Sequence, residues 1–138
     1  WISEFLTSSN PAFKCIYWED PFINNKLDIS VMSQNLLSGE LPSNLGDFHN
    51  LKSLILGNNL VHRSIPPSIA NCTSLVNVTM SVNALSEKIP EGFLRFLNLT
   101  FLSLGSNNMT GKISNGLHKC SNLISLSLAM NNFSGLIK

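Results

Sequence analysis

Short apolar stretches alternate with small polar residues along the chain, and the same arrangement returns every 24 residues. Five segments share the form LxxLxLxxNxLxGxIP, from LDISVMSQNLLSGELP to LISLSLAMNNFSGLIK. The central asparagines are evenly spaced, with no insertion or deletion: Asn35, Asn59, Asn83, Asn107 and Asn131. Self-similarity at a period of roughly 20 to 50 residues predicts a solenoid of stacked coils.

Each segment begins with an alternating apolar pattern. The positions three and five before each Asn are mostly aliphatic, as with Leu54 and Leu56, and polar residues flank them. This alternation predicts a short half-buried strand that ends just before the Asn. The apolar residue six positions after the Asn, such as Ile65, begins a return path for which we expect loops and short 3₁₀ turns. The pattern is that of the leucine-rich repeat. It predicts an α/β fold, a right-handed solenoid with a parallel concave sheet over an aliphatic core.

The five asparagines are interpreted as structural. Where a strand turns inward, its backbone N–H and C=O groups lose their sheet partners and still need hydrogen bonds. Asn carries one acceptor and two donors on a short side chain. It can therefore bridge its own turn and the backbone of the next coil. We call the five residues the asparagine ladder.

A glycine four positions after the Asn relieves a tight bend in three of the coils, at Gly39, Gly111 and Gly135. Arg63 and Glu87 occupy the same position in the other two coils. Because they lie one coil apart with opposite charges, we expect either a surface ion pair or two separately solvated side chains.

The two ends of the chain depart from the repeat. Residues 1–26 are predicted to form an irregular or cap-like segment, and residues 27–138 to form five repeats, the last incomplete. The aromatic residues of the first segment would cover one end of the core: Trp1, Phe5, Phe13 and Trp18. At the other end, four apolar side chains would form an open edge: Leu126, Leu128, Phe133 and Ile137.

Composition excludes several classes of function. The net charge is +1 and 12% of the residues are charged, which argues against a nucleic-acid partner. No apolar run reaches the roughly 20 residues of a membrane-spanning helix, so we expect no direct membrane insertion. The three histidines fall at different phases of the repeat, which argues against a metal site. No phosphate-binding loop or nucleophile motif is present, and we predict neither a cofactor nor an enzymatic activity.

The cysteines are interpreted as core residues. Cys72 and Cys120 share one inward position two coils apart, so that their Cα atoms would lie about 9–10 Å apart, too far for a disulfide. Cys15 has no partner in the first segment.

The surface that such a solenoid offers is its concave face. Residues six, four, two and one positions before each Asn are expected to point outward, and they form an uncharged surface. Candidate ligand-binding residues are Ser53, Ile55, Asn58, Asn77, Thr79, Val82, Phe101, Ser103, Ser106, Ser125, Ser127 and Met130. Phe101, an aromatic among small residues, is the expected anchor. Five strands give a sheet about 20 Å wide, which is part of a peptide site rather than a full receptor surface.

The chain also contains five N-x-S/T sequons, which are candidates for glycosylation. They lie at Asn71, Asn77, Asn98, Asn108 and Asn132. Asn98 is the best candidate because it begins a surface connection. A glycan on Asn77 would stand on the concave face and obstruct a ligand.

From about Leu37 to Gly135 the sequence resembles the ectodomains of plant leucine-rich-repeat receptor kinases. The likeness rests on the LxGxIP motif and on SIPPSIANCTSL, NLTFLSLGSNNMTGKI and CSNLISLSLAMNNFSG, and it is strongest to the flagellin-sensing receptor kinases. CIYWED retains only one cysteine of the cysteine pair found in that family's N-terminal cap.

The resemblance implies a peptide or protein ligand on the concave face and a coreceptor kinase as a further partner. It also implies a location on the extracellular face of the plasma membrane or in the apoplast. The chain would then be a fragment or truncated form of a receptor whose full-length parent carries the kinase domain. Two alternatives remain open: a secreted inhibitor of a microbial enzyme, and a truncated receptor product without function.

Overall fold

The structure is a computed structural model that describes residues 29–31, 33, 37–113 and 115–135. The predicted cap-like segment 1–26, Asn35, Ile137 and Cys15 lie outside the described residues.

The repeats form stacked coils whose strands make a parallel sheet on the concave side. In the described part of the chain this sheet has five strands: β1 (Ile29–Val31), β3 (Ser53–Ile55), β5 (Asn77–Thr79), β7 (Phe101–Ser103) and β8 (Ser125–Ser127). All neighbours pair in parallel with an offset of one repeat, so that Ser53 faces Asn77 and Asn77 faces Phe101. The predicted leucine-rich-repeat solenoid is confirmed.

The strands are shorter than the run of backbone hydrogen bonds that begins in them. Each interior strand ends four residues before its ladder Asn, and not just before it as predicted. The backbone nevertheless stays bonded to the next coil, because Asn58 N–H donates to Ser81 O at 2.9 Å and Asn59 N–H donates to Val82 O at 3.1 Å. The coils therefore remain in register up to the asparagine ladder.

The return path consists of loops and 3₁₀ helices, as the sequence predicted. The described 3₁₀ helices are Leu45–Asp47, Pro67–Asn71, Glu91–Arg95 and Asn115–Lys119. Their inward residues, such as Ile69 and Phe93, are buried against strand residues such as Val78. In β8, by contrast, Leu126 is exposed, whereas the equivalent Leu102 in β7 is buried.

A second parallel sheet, which the sequence analysis did not anticipate, follows the asparagine ladder. It comprises β2 (Ser38–Glu40), β4 (Leu60–Arg63) and β6 (Ala84–Leu85). Its register is 22 residues rather than 24: Glu40 lies opposite His62, and Arg63 lies opposite Leu85. A shift of two residues keeps the same side chains pointing inward because side chains alternate with a period of two.

This register determines the partner of Arg63. Its Nε lies 3.4 Å from Glu40 Oε1, and both side chains are exposed. Neither alternative expected for Arg63, an ion pair with Glu87 or a separately solvated side chain, is observed. The 22-residue offset places Arg63 beside Glu40 of the preceding coil instead. An exposed pair of this kind contributes about 0–1 kcal/mol.

The bend that was predicted at the glycine position occurs in all five coils. The φ angles are 111° at Gly39, 67° at Arg63, 65° at Glu87, 84° at Gly111 and 96° at Gly135. Arg63 and Glu87 thus occupy a left-handed conformation that glycine adopts without steric cost.

Candidate functional site

The asparagine ladder fixes the edge of the concave face. Asn83 Nδ2 donates to Leu56 O of the preceding coil at 3.0 Å and to Met80 O of its own coil at 3.2 Å. Its Oδ1 accepts from Val61 N–H at 2.9 Å. We expected the bridge to reach the next coil, but it reaches the preceding one. The link to the following coil is made instead by the backbone N–H of the ladder residue, as from Asn83 to Ser106 O at 3.2 Å.

The same contacts recur in the other described coils. Asn59, Asn107 and Asn131 each accept from the backbone N–H 22 residues earlier and donate to the carbonyl three residues earlier. Asn59 and Asn107 are buried.

The residue immediately before each ladder Asn adopts a left-handed backbone. The φ angles are 57° at Asn58, 57° at Val82, 55° at Ser106 and 56° at Met130. Asn tolerates this region well, whereas a β-branched residue there is a genuine outlier. No sequence signal marks these positions, because Val and Met have no preference for positive φ.

The sheet register brings eight of the twelve predicted ligand-binding residues together in two columns on one face. The first column is Ser53, Asn77, Phe101 and Ser125, and the second is Ile55, Thr79, Ser103 and Ser127. The remaining four form a third, left-handed column three residues beyond the strands: Asn58, Val82, Ser106 and Met130. None of these side chains is ionisable.

Hydroxyl and amide groups along the middle of this face bond to one another. Thr79 Oγ1 donates to Asn77 Oδ1 at 3.2 Å. The hydroxyls of Ser81 and Ser103 are hydrogen-bonded to each other between neighbouring coils. The middle of the face is therefore a neutral polar floor.

Apolar side chains stand at two places around that floor. Phe101 is 45% exposed at the start of β7, and Val82 is 49% exposed at the opposite end of the strands. Leu60, which is 53% exposed, lies at the start of β4 in the second sheet, next to this end of the concave face. The face thus combines neutral hydrogen-bonding groups with exposed apolar ones, which is suited to binding rather than to bond-making chemistry.

The asparagines of the five sequons differ in their solvent exposure and hydrogen bonds. Asn71, Asn98, Asn108 and Asn132 are exposed, and Asn77 is half-buried. Asn98 Nδ2 donates to Thr73 O at 3.4 Å, and Asn122 Nδ2 makes the equivalent bond to Leu97 O at 2.6 Å. Among the described residues, Asn98 therefore begins a small second row of amide contacts that the sequence analysis missed.

The two described cysteines are free and buried. Cys72 Sγ donates to Leu45 O at 3.2 Å, and Cys120 Sγ donates to Phe93 O at 3.4 Å. Burial, with a smaller contribution from Asp47, raises the pKa of the Cys72 thiol to about 11. The thiol is therefore protonated near neutral pH and poorly nucleophilic.

Among the residues that the structure describes, no group of three or more His, Cys, Asp or Glu side chains is arranged to hold a metal ion. None of the helices that the structure describes is long and apolar enough to span a membrane.

Comparison with known proteins identifies leucine-rich repeats in the chain. A family model described as Leucine Rich Repeat matches residues 50–72 and 98–120. No curated protein sequence matches the chain.

Solved structures extend the likeness to plant receptor ectodomains. The Arabidopsis receptor kinase HAESA, in complex with the peptide hormone IDA and the co-receptor SERK1, aligns at 31% identity with a TM-score of 0.78, over 80% of this chain and 19% of that one. A TDR receptor aligns at 42% identity and a TM-score of 0.76, over 78% of this chain and 18% of that one. The ectodomain of the receptor kinase SOBIR1 from Arabidopsis thaliana aligns at 34% identity and a TM-score of 0.73, over 76% of this chain and 56% of that one.

The chain thus spans less than a fifth of the HAESA and TDR chains. Its repeats resemble the non-catalytic, ligand-binding ectodomains of plant leucine-rich-repeat receptor kinases, and no kinase domain is among the described residues. These comparisons do not support the closer likeness to flagellin-sensing receptors that the sequence suggested.

Proposed function

We propose that the chain is a ligand-binding portion of a plant cell-surface leucine-rich-repeat receptor, and that it binds an extended peptide across its concave face. The observation that carries the proposal is the neutral face of parallel strands with Phe101 exposed within it. HAESA, which has the same repeat architecture, is described in complex with a peptide hormone and a co-receptor. By analogy, a coreceptor kinase is the second partner of this chain.

The size of the face favours a peptide over a globular protein. Five strands at about 4.8 Å spacing give a width of about 20 Å. With strands and their extensions about 16 Å long, the face offers on the order of 300 Å², well below the roughly 800 Å² that each side of a standard protein interface buries.

The proposal places the chain on the extracellular face of the plasma membrane, as part of a longer receptor, or in the apoplast. Signalling through a kinase belongs to the proposed parent receptor. The resemblance to flagellin-sensing receptors adds a specific hypothesis about the ligand, namely a segment of bacterial flagellin.

The test measures binding of the full 138-residue chain to synthetic peptides, among them flagellin-derived peptides and the hormone IDA. Phe101→Ala should weaken binding of any recognised peptide about tenfold or more, as expected for a central aromatic anchor. Leu97→Ala is the matched control, because Leu97 is 64% exposed just after the 3₁₀ helix Glu91–Arg95, away from the sheet. Affinity that depends on Leu97 and not on Phe101 would place the ligand elsewhere.

The same measurements separate the alternatives. A secreted inhibitor should bind and inhibit a microbial enzyme while ignoring the peptides. A truncated product without function should bind neither.

A further inference from the structure

We infer that the ligand of the concave face is an uncharged extended segment with two apolar side chains, one on Phe101 and the other on a step formed by Val82 and Leu60. This inference rests on the proposed function and specifies the chemistry of its ligand.

Val82 is the least expected residue of the face. Its φ of 57° is a conformation that a β-branched residue rarely adopts. The same position holds Asn58 in the preceding coil, which suits a left-handed backbone, and the unbranched Ser106 and Met130 in the following coils. The core does not require the Val82 side chain, because about half of it is exposed. A strained, exposed apolar residue therefore points to a contact outside the fold.

The backbone of Leu60 lies close to that of Val82 on the neighbouring coil. The N–H of Asn59, the residue before Leu60, donates to Val82 O at 3.1 Å. Leu60 is itself exposed. The equivalent positions in later coils hold the smaller Ala84 and the polar Asn108. Val82 and Leu60 together form what we call the apolar step, at the edge where the strands end.

A neutral floor separates the step from Phe101. It contains Thr79, Ser81 and Ser103, whose hydroxyls bond to neighbouring polar groups. No ionisable side chain is among the twelve residues of the three columns. A charged ligand group on this floor would lose hydration without gaining a counter-charge, so the ligand segment should be neutral.

The distance between Phe101 and Val82 determines how far apart the two apolar side chains of the ligand should lie. Phe101 precedes Ser106 by five residues, and Ser106 occupies in its coil the position of Val82. At about 3.3 Å per residue this corresponds to at most about 16 Å along the strands. An extended ligand covers that distance in about five residues, so its two apolar side chains should lie four to five positions apart.

The experiment selects binders from a random linear peptide library with the full chain, and then measures their affinity for variants. Selected peptides should be neutral and should carry apolar residues four to five positions apart. Val82→Asn should weaken them about tenfold while raising the thermal midpoint of the chain, because Asn suits the backbone and removes the apolar contact. Val82→Thr, which keeps the branched shape, should weaken binding without raising the midpoint. Leu97→Ala should leave the affinity unchanged.

The outcomes separate this inference from the proposed function. If selected peptides share acidic or basic residues, or if Phe101→Ala weakens them while Val82→Asn and Val82→Thr do not, the inference is overturned and the proposed function stands. If binding is insensitive to Phe101 and Val82 alike, or if no peptide is selected, both are overturned.

Discussion

Removal of one ladder side chain tests the physical basis of the fold. Asn107 is 7% exposed. Its Nδ2 donates to Met80 O and Leu104 O, both at 3.0 Å, and its Oδ1 accepts from Leu85 N–H at 3.0 Å. Asn107→Ala leaves Leu85 N–H without its acceptor. Met80 O and Leu104 O each lose one donor but still accept from Asn83 Nδ2 and Asn131 Nδ2. At about 1–3 kcal/mol for one unsatisfied buried group, we expect the free energy of unfolding to fall by about 1–3 kcal/mol.

The adjacent Asn108 provides the matched control. It is exposed, and its backbone N–H rather than its side chain bonds to Leu85 O. Asn108→Ala should change the free energy of unfolding by no more than about 0.5 kcal/mol. The assay is equilibrium unfolding in urea of unglycosylated protein, with the midpoint and the slope reported separately. Equal midpoints for the two variants would refute the assignment of a structural role to Asn107.

Three further predictions follow from the backbone, the buried thiol and the sequons. Glu87→Gly should raise the free energy of unfolding by up to about 1 kcal/mol, because Glu87 has a φ of 65°; an unchanged or lower urea midpoint would contradict this. The Cys72 thiol has its pKa raised from 9.0 to about 11, so its contribution to stability should be complete below pH 9 and lost as the pH rises towards 11. Between pH 8 and pH 11, the urea midpoint of Cys72→Ala should fall less steeply than that of the unsubstituted chain. Equal slopes of midpoint against pH for the two proteins would refute that linkage. Mass spectrometry of protein expressed in plant cells should find glycans on the exposed Asn98, Asn108 and Asn132 and none on half-buried Asn77; a glycan on Asn77 would argue against an open concave face.

Much of the fold was predictable because the repeat keeps a constant length. Alternating apolar positions such as Leu54 and Leu56 locate each strand, although the strands end four residues before the constant Asn. The second sheet was not predictable in the same way. Its strands contain only two to four residues. They pair residues 22 positions apart, whereas the repeats align at a spacing of 24 residues. The error over the partner of Arg63 has the same origin.

The candidate site was predictable in outline but not in its details. The period-two alternation indicates which side chains face outward, and it singled out Phe101. The sequence gives no sign that Val82 has a positive φ, because the chain imposes that conformation through the turn into Asn83 and not through any propensity of valine. The neighbourhood of Val82 and Leu60 likewise depends on contacts between coils.

Hydrogen–deuterium exchange of the chain with and without a selected peptide tests the central claim most directly. If the peptide lies across the concave face, amide protection should increase in residues 77–82 and 101–106 and stay unchanged in residues 91–97. Protection confined to residues 91–97, with no change along the strands, would contradict the account.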